Sequence, residues 1–269
     1  MPPPSFLVIG HRGAAGHAPE NTLPSFEAAR SLGVQEVELD VRLSRDGVPV
    51  LFHDELLDRK TQFEGPVADR DAENLKQAKL GSWFAESHPG VSQRFEAAHL
   101  VTLPEVLGRF GEAFHYHIEI KTPDRTAPRR VLEVLELYGL RRHATITSFD
   151  LEQLGRARRL DPEIPITLLV EDAEDLEESV QVEEALKDFF GGKGQQAQQI
   201  QEAVNGNFQM VAFPARDLTP ELVQLAHSRA LGIRAWGVRD PSDLDRVIEV
   251  GADGATLDRP EWALDRRAP

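Results

Sequence analysis

The chain has 269 residues, a length that leaves one large domain or two ordinary ones open. Hydrophobic residues make up 41%, enough for a sizeable core, which excludes a disordered chain. A formal charge of −15 argues against non-specific nucleic-acid binding, and the absence of cysteine excludes disulfides, thiol nucleophiles and thiolate metal sites.

The opening residues, Met1-Pro2-Pro3-Pro4-Ser5-Phe6, lack the basic start and apolar stretch of a signal peptide. No run of 18 apolar residues occurs, so no transmembrane segment is expected and the expected location is cytoplasmic.

Short apolar runs at 6–9, 34–41, 114–120, 144–148, 164–170, 210–213, 233–238 and 254–257 read as eight strands. Amphipathic patterns between them predict helices over 21–32, 103–110, 129–140, 151–160, 219–231 and 241–250. Pro24 sits in the first turn of the first helix and Gly33 stops it, while Thr219-Pro220 and Asp240-Pro241 read as caps followed by proline. Gly232 and Gly251 close those last two helices.

Strands alternating with helices imply a parallel sheet, and eight such units in about 250 residues fit a TIM (β/α)8 barrel. A doubly wound sheet is the alternative. No gap reads as a domain linker, so a single domain over 1–269 is expected. Two stretches break the spacing. Residues 55–102, with Trp83, Phe84 and Phe95, are too long for an ordinary loop and are expected to form a small cap over one end of the barrel. Residues 171–207 read as two helical pieces around a flexible hinge at Gly191-Gly192-Lys193-Gly194, with a solvated outer face.

The chemistry-bearing residues cluster early. The first strand runs into Gly10-His11-Arg12-Gly13, and the second reads Glu36-Val37-Glu38-Leu39-Asp40. Asp46-Gly47 then makes a turn, and 48–52, an extension or hairpin, presents His53-Asp54. Barrel active sites lie at the C-terminal strand ends, where His11, Arg12, Glu38, Asp40, Glu119 and Lys121 fall, with Trp236 near the end of the seventh strand.

Glu38 and Asp40, two apart, share one strand face. On an inward face two like charges are costly unless a cation lies between them. Glu119 supplies a third oxygen ligand and Glu36 is a weaker fourth candidate. Carboxylates without cysteine favour a hard ion, Ca2+ or Mg2+; a solvated strand face is the alternative. His11 and His53 suit a base and an acid near neutrality, against the alternative of hydrogen-bonded structural residues. Arg12 offers a planar fork and Lys121 a point charge to a phosphate, against surface ion pairs. Gly10, Gly13 and Gly16 would let backbone amides approach a phosphate, but their spacing is no dinucleotide fingerprint, which excludes a nicotinamide cofactor. His115 and His117 alternate toward Glu119 and read as packed lower in the barrel.

The order of these elements resembles the glycerophosphodiester phosphodiesterase family. The resemblance rests on His11-Arg12-Gly13, Pro19-Glu20-Asn21-Thr22, Glu38-x-Asp40, Asp46-Gly47 through His53-Asp54, and Glu119-Ile120-Lys121. It continues through Leu57-Asp58-Arg59, Thr102 to Leu107, Ser148-Phe149, Trp236-x-Val238, and Gly254 with Asp258-Arg259-Pro260. The resemblance implies a (β/α)8 barrel with an insertion after the second strand. It further implies hydrolysis of small-molecule glycerophosphodiesters to sn-glycerol 3-phosphate and an alcohol with one divalent metal ion.

Carried over, Glu38, Asp40 and Glu119 become metal ligands, His11 and His53 the acid/base pair, and Arg12 and Lys121 the phosphate holders. Trp236 lines the glycerol or leaving-group pocket, and Glu20 organises the first loop. Gly237, Arg239 and Leu257 depart from the family pattern, which bears on substrate choice and leaves the reaction untouched. Which histidine is the base, and whether water or the neighbouring glycerol hydroxyl attacks, stay open. A lysophospholipid or sphingolipid phosphodiesterase and a non-catalytic glycerophosphodiester-binding barrel are the alternatives. A homo-oligomer is compatible with the sequence.

Overall fold

Strands and helices alternate along the chain as the hydrophobic patterning requires. The structure, a computed structural model, describes residues 6–88, 94–171, 184–264 and 266. Its fold is the expected (β/α)8 barrel of eight parallel strands with intervening helices. The elements in order begin with β1 (Leu7–Gly10), α1 (Leu23–Ser31), β2 (Glu36–Leu43) and β3 (Pro49–Leu51). They continue with α2 (Ala72–Leu75), α3 (Gly81–Ser87), α4 (Leu103–Phe110), β4 (His115–Ile120), α5 (Ala127–Leu137), β5 (Ala144–Ser148) and α6 (Leu151–Leu160). Then follow β6 (Ile166–Leu169), α7 (Glu184–Asn205), β7 (Met210–Pro214), α8 (Pro220–Ser228), β8 (Gly232–Trp236), α9 (Pro241–Glu249), β9 (Gly254–Leu257) and α10 (Glu261–Leu264). Among the described residues no helix is long and apolar enough to cross a membrane.

The chain divides into two compact units. The first holds residues 9–164 and 258–261. Within it β2 pairs parallel with the end of β1 (Ile9 opposite Glu36) and with β4 (Asp40 opposite Glu119), and β4 pairs parallel with β5. β2 is buried along most of its length, as a strand covered on both faces must be. Val37, Leu39 and Val41 fill one face and Glu38 and Asp40 occupy the other, all within the interior. The expected hairpin is present: β3 runs antiparallel to β2, with Val41 opposite Leu51, and delivers His53 to the same end as Asp40.

The insertion is built on two apolar clusters. Val50, Phe52, Leu57, Leu75, Leu80 and Leu100 form one, and Phe84, Phe95, Ala98 and Ala18 the other, with Trp83 packed beside them. Ala18 lies in the loop after β1, so the second cluster fastens the insertion to that loop. A capping box between Thr102 and Glu105 starts α4 where the insertion ends. Helix α1 begins two residues later than the patterning predicts because Asn21 takes a left-handed conformation, φ 56°, before the cap at Thr22.

The second unit holds residues 165–257 with 6–8 and the described residues after 261. In it β6, β7, β8 and β9 pair parallel in sequence order. Thr219 and Asp240 cap α8 and α9 as their sequence predicts, each side chain accepting from backbone amides of the first turn. The hinge expected at Gly191–Gly194 is corrected: these residues lie inside the single helix α7. Each glycine weakens a helix by only about 1 kcal/mol, and the buried Ile200 and Ala203 anchor its C-terminal half. Of the first piece expected there, residues 172–183 lie outside the described residues.

Candidate active site

The loop after β1 is folded by its own backbone. Gly13 has φ +92°, and an added Cβ there would meet Ser25 Oγ at 2.6 Å. That serine donates to the Arg12 carbonyl (2.7 Å) and accepts from the Ala14 amide (2.9 Å), clasping the loop to the start of α1. The Gly13 and Gly16 amides donate to the carbonyls of Glu38 and Asp258. They are thereby committed to folding the chain, which corrects the expectation that they face a phosphate.

Three acids from two strands converge. Ligand oxygens of Glu38, Asp40 and Glu119 lie within 4.8 Å of one another, and all three residues are buried. The solvated strand face is therefore excluded. Glu36 stands apart from this trio and meets His117 Nε2 at 2.7 Å, while His115 meets Thr145 Oγ1 at 2.8 Å, as packed core residues do.

Cations surround the acids. Arg12 Nε lies 3.0 Å from Asp40 Oδ2, and its Nη1 donates to Glu20 Oε2 at 2.8 Å. Lys121 Nζ donates to Glu119 Oε1 at 2.7 Å and lies 3.7 Å from Asp40 Oδ1. Asn21 grips Asp40 from both sides, its amide donating to Oδ2 (2.8 Å) and its carbonyl accepting from the Asp40 backbone (3.2 Å). Arg42 ties two strand ends together by donating to the carbonyls of His53 and Lys121.

Each histidine has a carboxylate behind it. His11 Nδ1 donates to Asp258 Oδ1 at 2.6 Å, leaving Nε2 3.9 Å from Glu38 Oε2. His53 Nδ1 donates to Asp54 Oδ1 at 2.7 Å. Both side chains keep about a third of their surface open, 31% and 32%.

Burial drives the Glu38 carboxyl above its ordinary range, and the neighbouring Asp40 adds to the effect. Burial raises Glu119 in the same way, against Lys121. Burial also opposes ionisation of Asp40, but Arg12 and Lys121 outweigh it and hold that carboxyl well below the usual range. For His11, burial and Arg12 oppose protonation, yet Asp258 and Glu38 prevail and raise it. Burial lowers His53 to about 4, with Arg12 and Lys121 reinforcing the shift against Asp40.

The donor set fits a hard divalent cation. Glu38 Oε1 and Asp40 Oδ1 are buried without a hydrogen-bond partner. Such orphaned carboxylate oxygens are costly unless they coordinate something. An all-oxygen cluster suits Ca2+ or Mg2+.

Seven of the eight residues expected at the site, His11, Arg12, Glu38, Asp40, His53, Glu119 and Lys121, come together in the first unit. Trp236 belongs to the second unit, where it closes β8 and its indole donates to the Val170 carbonyl at 3.1 Å. Sequence reasoning assigned no role to Asn21, Lys60, Asp54 or Asp258. Asp54 adjoins His53, which is a local signal. Asp258 reaches His11 only through the fold.

The profile of the "Glycerophosphoryl diester phosphodiesterase family" matches residues 11–262. A glycerophosphodiester phosphodiesterase of Caldanaerobacter subterraneus subsp. tengcongensis is 30% identical over 267 residues, covering 96% of each chain. One from Bacillus subtilis is 29% identical over 97% of this chain and 86% of its own length. The crystal structure of a Silicibacter pomeroyi protein ascribed to the same activity has a TM-score of 0.80 at 27% identity, covering 98% of this chain and 95% of that one. An Oleispira antarctica phosphodiesterase, solved in complex with the product sn-glycerol-3-phosphate, has a TM-score of 0.78 at 25% identity over 96% of both chains. The chain belongs to the glycerophosphoryl diester phosphodiesterase family.

Proposed function

We propose that this protein hydrolyses glycerophosphodiesters to sn-glycerol 3-phosphate and an alcohol, using His11 and His53 as acid and base and one divalent cation. The observation that carries this reading is the buried acidic trio with orphaned oxygens, flanked by two carboxylate-backed histidines. The product bound by the Oleispira antarctica relative supports the substrate class.

Glu38, Asp40 and Glu119 would hold the cation, Ca2+ or Mg2+, which when bound withdraws negative charge from the diester phosphate. Arg12 would turn its Nη2 edge to a phosphate oxygen, since its Nη1 is held by Glu20 and its Nε lies beside Asp40. Lys121 adds a point charge from the end of β4. The depressed His53 is neutral at physiological pH and suits the base, taking the proton from the attacking oxygen. The raised His11 suits the acid, giving its proton to the departing alkoxide as the phosphorus–oxygen bond breaks. The attacker is water or the adjacent glycerol hydroxyl. The family resemblance assigns Trp236 to substrate contact.

The test is release of sn-glycerol 3-phosphate from glycerophosphocholine, run after chelation and again with Ca2+ or Mg2+ restored, beside a lysophospholipid. Metal-restored turnover of the glycerophosphodiester is expected. Cleavage of the lysophospholipid alone overturns the substrate, and activity indifferent to chelation overturns the cation.

A further inference from the structure

Lys60 is a cation in an expensive place. It is only 2% exposed, and it lies in the insertion. Its ammonium donates to Glu20 Oε1 at 2.7 Å and to Asp54 Oδ1 at 3.1 Å. The rings of Trp83 and Phe52 wall it in, with centroids 5.0 and 5.9 Å away. The loop that carries it also has bonds of its own. Backbone bonds run from the Leu57 amide to the Gly65 carbonyl (3.0 Å) and from the Thr61 amide to the Leu57 carbonyl (3.1 Å), and Leu57 is buried in the apolar cluster.

The two partners of Lys60 are what give it meaning. Glu20 uses its other oxygen, Oε2, to accept from Arg12. Asp54 uses the same Oδ1 to accept from His53. One buried ammonium therefore stands between the carboxylate that orients the phosphate-holding arginine and the carboxylate that orients the base.

We infer that Lys60 is a positioning residue that sets Arg12 and His53 together through Glu20 and Asp54, making the insertion a working part of the site. The inference rests on the roles proposed above for Arg12 and His53. Without the ammonium, buried Glu20 is left with Arg12 alone and draws it back from the phosphate. Asp54 turns to Arg59, which already donates to its Oδ2 at 3.0 Å, and loosens its hold on His53. Partners one step removed from the reacting groups typically cost about 10- to 100-fold in activity when removed.

The experiment is steady-state turnover of glycerophosphocholine by the full chain with Mg2+ or Ca2+, comparing wild type, Lys60→Met, Glu20→Gln and the double variant. Lys60→Met is expected to lower kcat at least about tenfold and to raise KM. Adding Glu20→Gln to it is expected to cost less than Glu20→Gln does alone, because the stranded charge is then gone. Wild-type kcat and KM in a folded Lys60→Met, or losses that multiply independently, overturn the inference. If Lys60→Met does not fold, Asp54→Asn and Glu20→Gln carry the test with Lys60 in place. A fall in kcat for the first and a rise in KM for the second are expected, and wild-type constants for both overturn it. His53→Ala is the control. An active wild type with inactive His53→Ala leaves the proposed function standing whichever way Lys60 falls, and an inactive wild type counts against that function instead.

Discussion

His11 and Asp258 stand 247 positions apart in the chain, yet the imidazole Nδ1 donates to the carboxylate across 2.6 Å. The carboxylate favours the charged ring and so raises His11 despite burial and Arg12. Replacing Asp258 by Asn keeps the shape and removes the charge. Protonated His11 is then lost at lower pH, so the alkaline limb of kcat/KM moves downward, with a loss of about tenfold or more at neutral pH. A pH profile checks this, and an unmoved alkaline limb contradicts the role of His11 as the acid.

Removing either histidine tests the pair directly. His11→Ala and His53→Ala are each expected to lower kcat by at least about two orders of magnitude. Circular dichroism should show the fold intact, because both side chains lie at the ends of strands and about a third exposed. A mild loss in both variants would sink the acid/base scheme.

The acidic trio makes a stability prediction independent of turnover. A cation that binds the folded chain stabilises it, by about 2.7 kcal/mol when its concentration is 100 times its dissociation constant. Thermal unfolding should therefore shift upward on titration with Ca2+ or Mg2+ and return with EDTA. Glu38→Gln should abolish the shift. An equal shift in that variant places the ion elsewhere.

The loop that carries His11 and Arg12 depends on a residue with no side chain. At Gly13 the φ of +92° disfavours any L side chain, and an added Cβ would lie 2.7 Å from the Ser25 carbonyl carbon and 2.9 Å from the Phe26 amide. Gly13→Ala is expected to destabilise the protein by more than about 1–2 kcal/mol. It should also reduce activity, since relief of the clash moves Arg12 or the start of α1. Denaturant unfolding and turnover together check it; a variant with wild-type values in both shows that the loop yields freely.

Much of the architecture is legible in the residues taken in order. Alternating apolar runs and amphipathic segments are local signals, and β2, β4, α4, α6 and α9 fall where their periodicity and caps put them. The Glu38-x-Asp40 spacing likewise specifies one shared strand face, because side chains alternate along a strand whatever surrounds it. The glycine run at 191–194 misleads for the same reason: helix weakness is local, while the apolar contacts of Ile200 and Ala203 that override it are not.

What the chain alone determined, then, is the alternation of elements, the side-chain types at the strand ends and the face they share. The tertiary structure decided which of them meet. Parallel pairing of β2 with β4 sets Asp40 opposite Glu119 and completes the acidic trio. Folding brings Asp258 to His11, and it buries Lys60 between Glu20 and Asp54. Burial and charge contact are properties of neighbours in space, and all of these pairs but Lys60 and Asp54 are tens to hundreds of positions apart in sequence.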